Sequence, residues 1–153
     1  MDRIVNLTHD VLDARAIEAA VAHPGAGAVC TFSGNVRDHN LDRQVEYLEY
    51  EAYAEMALQA MNEICHEVVA RWQGARIAIV HRLGRVEIGE ASVIIAVASA
   101  HRGAAFAACL FAIDTLKTTV PIWKREVWTD GAAWIEGVSA APVQSNPFVD
   151  PIP

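Results

Sequence analysis

Apolar and polar positions change rhythm several times along the chain. "LDARAIEAAVAHPGAG" has helical spacing, with Asp13 as N-cap, Ile17, Ala20 and Val21 on one face, and Pro24-Gly25 as the stop. "AEMALQAMNEICHEVVARW" sets Met56, Ala60, Ile64 and Val68 near one stripe, which predicts an amphipathic helix ended by Gly74. "HRGAAFAACLFAIDTLKT" predicts the most apolar helix of the chain. The remaining apolar runs are short and read as strands: "DRIVNLT", "GAVCTFSG" entering a glycine, the alternating "VEYLEYEAY", then "RIAIVHRLG" and "ASVIIAVASA". "RVEIGE" adds a short strand or a bulge between the last two. "NVRDHNLDRQ" is polar and reads as a loop. "PIWKREVWTDGAAWIEG" predicts a hairpin with Asp130-Gly131 as its turn signal.

Hairpins therefore alternate with helices, and the expected class is α+β with a mixed sheet rather than a doubly wound one. There is no internal repeat and no long linker. One domain is expected over residues 1–140, followed by a proline-rich tail, 141–153, that is extended or mobile.

Composition narrows the class. At 153 residues, 53% hydrophobic and 20% charged, the chain can bury a core without staples. No run approaches the roughly 18 apolar residues of a membrane helix, and the first residues lack the apolar core of a signal peptide. A cytoplasmic protein that neither spans nor anchors to a membrane is the expectation. The net charge of −7 argues against a general nucleic-acid binder but leaves room for a small anion in a local basic pocket. The three cysteines form no C-x-x-C pair. Cys30 and Cys109 read as small core residues, so the chain offers no obvious sulfur nucleophile.

Three stretches hold candidate chemistry. At "ASAHRG" a strand runs into His101-Arg102-Gly103 and a helix begins, which is either an ordinary turn or an anion site at a helix N-terminus. In "SGNVRDHN", Arg37 follows a strand end and is either a surface charge or a binding group on a loop. In "KTTVPIWKRE", Lys117 ends a helix, where the dipole already favours a cation. Lys124 shares a strand face with Ile122 and Glu126, while Trp123 and Arg125 take the other face. Lys124 and Glu126 can simply pair. If instead Lys117 and Lys124 converge, each pushes the other toward neutrality and one becomes a usable acid or base. Trp123, Trp128 and Trp134 read mostly as core and dimer surface, with a stacking wall for a flat heterocycle as the alternative, and His81 reads as a satisfied histidine. No Walker loop, dinucleotide fingerprint or metal-ligand spacing occurs, so neither metal nor cofactor is expected.

Taken in order, "FSGNVRDHN", "LEYEAYAEMA", "IVHRLGRVEIGEASV", "SAHRGAAFAA", "IDTLKTTVPIWKREVW" and "W-IEG" resemble the large, catalytic subunit of molybdopterin synthase, the MoaE family, from about residue 3 to 137. The resemblance implies an α/β-hammerhead-like mixed sheet with an added antiparallel α+β subdomain. It implies a sulfurtransferase that converts cyclic pyranopterin monophosphate to molybdopterin. The sulfur would arrive as a thiocarboxylate on the Gly-Gly tail of a small ubiquitin-like carrier subunit. A homodimer would form the core of a heterotetramer. Carried onto this chain, the pocket would comprise Asn35, Val36, Arg37, His101, Arg102, Arg125 and Glu126, with Lys117 and Lys124 as catalytic groups. Some pocket residues would come from the neighbouring protomer, with Arg37 the candidate. Arg125 stands where many members have lysine. The competing reading is a non-catalytic module that binds a ubiquitin-like tail or an anionic pterin; a phosphate-ester enzyme lacks the metal motif and nucleophile it would need.

Overall fold

The computed structural model describes residues 2–135. Its elements are β1 (Arg3–Thr8), α1 (Ala14–Val21), β2 (Ala28–Asn35), β3 (His39–Asn40), β4 (Arg43–Ala52), α2 (Ala54–Arg71), β5 (Arg76–Arg82), β6 (Gly84–Glu87), β7 (Ala91–Ser99), α3 (Arg102–Thr119), β8 (Ile122–Trp128) and β9 (Gly131–Ile135). The expected tail, 141–153, lies outside the described residues.

The strands build two sheets. The first is four-stranded, in the order β1-β5-β7-β2, with β1 parallel to β5 and the other pairs antiparallel. The second is antiparallel, in the order β3-β4-β8-β9, with β6 also on β4. The α+β class holds.

Side-chain alternation explains the layering of the first sheet. Ile77, Ile79, Val93, Ile95 and Val97 meet α2 and α3 on one face, with Ala108, Cys109, Ala112 and Leu116 of α3. The small residues Ala78, Ala96 and Ala98 point to the other face, where α1 packs through Val21. Asp13 caps α1 as expected, its Oδ1 accepting from Ala16 N–H at 3.2 Å. The stripe of α2 differs at its start. Met56 is 61% exposed, and the buried positions are Ala57, Met61, Ile64, Cys65 and Val68. Each four-residue step overshoots a turn by about 40°, so a stripe drawn back from Val68 in fours leaves the core face by Met56.

The second sheet has its own core of Val36, Val45, Leu48, Tyr50 and Val86. The chain passes between the sheets at Leu83-Gly84, where Gly84 adopts φ 79°, a left-handed conformation that suits glycine. The polar stretch expected as a loop is partly strand. His39–Asn40 pairs with Arg43 and Gln44 through a tight turn in which Leu41 and Asp42 both have positive φ, 47° and 64°. Turns of this kind normally announce themselves with Asn-Gly or Asp-Gly, and here that signal is missing.

Candidate active site

The two sheets, α3 and the β2–β3 connection converge on one cleft of about 190 Å³. The end of β2 supplies Gly34 and Asn35, and Arg37 follows. His39 and Asn40 come from β3, Val45, Leu48 and Tyr50 from β4, Ser92 from β7, Lys117 from α3, and Lys124 and Glu126 from β8.

Local rules explain how each arrives. Leu116 belongs to the buried stripe of α3, so Lys117, one residue on, sits at the edge of that stripe in the last turn. Pro121 breaks the helix, and β8 runs back beside β4, with Lys124 opposite Tyr50 and Glu126 opposite Leu48. Alternation then sends Lys124 and Glu126 to the cleft and Arg125 to the opposite face. There Arg125 donates to Glu49 at 3.0 Å. At the other wall the β2–β7 ladder slips between Gly34 and Asn35. Ser92, at that slip, donates its hydroxyl to Gly34 O at 3.1 Å.

The electrostatics are uneven. Lys117 keeps solvent contact toward the cleft, yet loss of hydration around its amine lowers its pKa, and the charge of Lys124 lowers it further. Glu126 is 2% exposed, and both of its oxygens are occupied. Asn40 Nδ2 donates to Oε2 at 2.7 Å and Trp128 Nε1 donates to Oε1 at 2.8 Å. Burial pushes the Tyr50 phenol up, the Ser92 hydroxyl tempers that rise, and the Glu126 charge adds to it. Tyr50 also stands edge-on to His81, with ring centroids 5.1 Å apart. Burial drives His81 down to about 4 against the hydrogen bond to Arg82 O at 2.7 Å, and Lys117 lowers it further. A neutral histidine therefore lies near the lysine.

The cleft is thus a recess open to solvent at Arg37 and Lys117, with two amines, a guanidinium at its rim and a neutral phenol. That set suits a small anion, and the lowered pKa of Lys117 makes its amine the better placed of the two to give up a proton. The thiols do not compete for that role. Burial pushes Cys65 and Cys109 each to about 12, and Cys30 packs half-buried against the same core. Among the described residues no group of three or more His, Cys, Asp and Glu could hold a metal ion.

Of the residues singled out in the sequence, Asn35, Arg37, Lys117, Lys124 and Glu126 meet in this cleft. Val36, Arg125, His101 and Arg102 do not line it. Val36 is 4% exposed and belongs to the core of the second sheet, because it is the inward residue of its segment. His101 and Arg102 begin α3 while Lys117 ends it. At 1.5 Å per residue that separation is about 22 Å. Arg37, the candidate for a contribution from a neighbouring protomer, lines this chain's own cleft. Sequence reasoning missed His39, Asn40, Tyr50 and Ser92. The alternation of "VEYLEYEAY" could have flagged Tyr50; Ser92 carried no local signal.

Known proteins resemble this one closely. The family model described as MoaE protein matches residues 7–119. A molybdopterin synthase catalytic subunit 1 from Aedes aegypti is 49% identical over 83% of this chain and 83% of its own length. A molybdopterin synthase catalytic subunit from Bacillus subtilis is 50% identical over 72% of this chain and 70% of its own. The crystal structure of molybdopterin synthase from Staphylococcus aureus superposes with a TM-score of 0.82 at 38% identity, covering 84% of this chain and 94% of that one.

Proposed function

The chain belongs to the MoaE family of molybdopterin synthase catalytic subunits, and we propose that the cleft holding Lys117 and Lys124 is its active site. It is an enzyme of molybdenum cofactor biosynthesis. The observation that carries the site assignment is the convergence of two lysines, from α3 and β8, with the pKa of Lys117 lowered by burial and by its neighbour.

The substrate in this reading is cyclic pyranopterin monophosphate, and two sulfurs are added to form the dithiolene. Arg37 and Lys124 hold the phosphate by charge. Lys117 positions the incoming thiocarboxylate and moves protons as sulfur adds and the cyclic phosphate opens. Glu126 keeps Asn40 and Trp128 in place rather than facing the anion, since both of its oxygens are already occupied. The buried, high-pKa thiols agree with a sulfur that arrives on a partner, the C-terminal tail of a small carrier subunit.

His101 and Arg102 enter the same reading from a second copy of the chain. The helix N-terminus and Arg102 suit a phosphate, but they lie too far from Lys117 to share its cleft within one protomer. A homodimer that turns one α3 N-terminus toward the partner's cleft would complete it. No described helix is long and apolar enough to cross a membrane, and free thiols at Cys30, Cys65 and Cys109 suit a reducing cytoplasm.

The test is reconstitution. The purified chain, given the cyclic precursor and a thiocarboxylated carrier, is expected to form dithiolene product. A carrier ending in an ordinary carboxylate is expected to give none. Product at equal rates with either carrier, or with neither, would overturn the reading.

A further inference from the structure

Beside the cleft, the turn that joins β6 to β7 grips the segment bearing Arg37. Val36 N–H donates to Glu90 O at 3.0 Å, and Gly89 N–H donates to Val36 O at 2.8 Å. These two bonds carry the β2–β7 pairing one step past its slip at Gly34/Asn35. Val36 is thereby tied on both sides of its backbone while its side chain is sunk in the second core. Its neighbours Asn35 and Arg37 are left to line the cleft.

The turn itself is held by the Glu90 side chain. Oε1 accepts from Glu87 N–H at 2.9 Å, and Glu90 N–H donates to Glu87 O at 3.0 Å. Oε2 lies 3.2 Å from Arg82 Nη1, whose side chain is only 11% exposed. That contact is an ion pair without hydrogen-bond alignment: Arg82 Nε and Nη1 find no hydrogen-bond partner among the described residues. Gly89 adopts φ 82°, which the turn requires. A Cβ there would meet nothing within 4 Å, so a substitution at Gly89 disturbs backbone conformation and not packing.

We infer that Glu90 and Gly89 are positioning residues for the synthase reaction: they hold Val36 by its backbone and through it aim Arg37 into the cleft. The role rests on the proposed reading of the cleft, and specifically on Arg37 as an anion contact. Neither residue lines the cleft. Their effect is therefore expected in substrate affinity more than in turnover.

The experiment is a double-mutant cycle in the complete synthase with thiocarboxylated carrier, reading KM for the cyclic precursor, kcat and thermal midpoint. Glu90→Gln keeps the shape but gives up the charge facing Arg82. It is expected to raise KM at least about threefold with kcat nearly kept, and to have almost no further effect on KM in an Arg37→Ala background. Gly89→Val is expected to act as Glu90→Gln does. Gly89→Asn, which tolerates positive φ, is expected to restore KM toward the wild-type value. Should Glu90→Gln fold poorly, the Gly89 pair carries the test, because its site is open. If Arg37→Ala alone leaves KM unchanged, the reading of Arg37 fails. If Arg37→Ala raises KM while the Glu90 and Gly89 variants leave it unchanged, or raise it equally with and without Arg37, the clamp is wrong.

Discussion

Lys117 leaves the last turn of α3 and Lys124 leaves β8, yet the two share one cleft and the charge of Lys124 bears on Lys117. Burial is the larger cause of the lowered Lys117 pKa, and the neighbouring ammonium is the second. The sign fixes a test. Removing the positive charge with Lys124→Gln takes away a like-charge penalty, so the Lys117 pKa rises. If Lys117 works as a neutral base, the acid limb of the kcat/KM profile is expected to move to higher pH in Lys124→Gln. A limb that stays put while activity falls would assign Lys124 to anion contact alone.

Lys117→Ala separates chemistry from docking. Loss of a positioned proton-transfer group costs about 10²- to 10⁴-fold in rate. Dithiolene formation in a single turnover is expected to fall within that range, with carrier affinity by calorimetry within about twofold of wild type. Turnover near the wild-type rate would remove Lys117 from the chemistry.

His81 sets an acid-side stability slope. Its ordinary value is 6.5, and burial takes it to about 4 in the folded chain. Between those values the unfolded chain binds the proton and the folded one does not, so stability falls as pH drops from 6.5. The loss, complete below about pH 4, is roughly 3 kcal/mol for this group alone. Urea midpoints across that range are expected to show a shallower slope in His81→Gln. An unchanged slope would mean that His81 titrates freely.

Glu126→Gln tests the buried acceptor. A carboxylate accepts from Asn40 and Trp128 at once, whereas a glutamine turns an NH₂ toward one of these donors. The expected cost is about 1–3 kcal/mol of stability, read from denaturant midpoints at constant m. No measurable loss would show that one of the two bonds is dispensable.

Gly27 faces the strand-to-helix joint. A Cβ there would lie 2.4 Å from the backbone oxygen of Ala100, which cannot move without shifting the start of α3. Gly27→Ala is expected to cost about 1–3 kcal/mol, as overpacking does, with a lower thermal midpoint. Full stability would show that the joint shifts freely.

Much of the architecture could be read from local pattern, because burial against one face imposes a period. The periodicity of 54–71 and 102–119 defined two helices, and the short β-rich runs defined the long strands. Where two or more local rules agreed, as at the Asp13 cap, the structure follows them. The strand His39–Asn40 could not be read, because its turn uses Leu41 and Asp42 at positive φ in place of the residues that normally mark it. Met56 was misplaced because repeated four-residue steps rotate away from the core face.

The candidate site divides along a similar line. The residue types were visible: two lysines on either side of Pro121, an arginine after a strand end, and a helix beginning at His101-Arg102. Strand alternation separated Lys124 and Glu126 from Arg125 correctly, since that is a matter of two-residue spacing. Sequence could not say which stations meet, because the length of α3 holds His101-Arg102 about 22 Å from Lys117. Nor could it show Tyr50, Ser92 and Asn40 closing the cleft, since each is brought there by pairing with a distant strand or side chain. The lowered Lys117 pKa likewise depends on how much water the assembled walls exclude. Local spacing determined the elements and the charges they carry; the packing of two sheets around α3 decided which charges share one cleft.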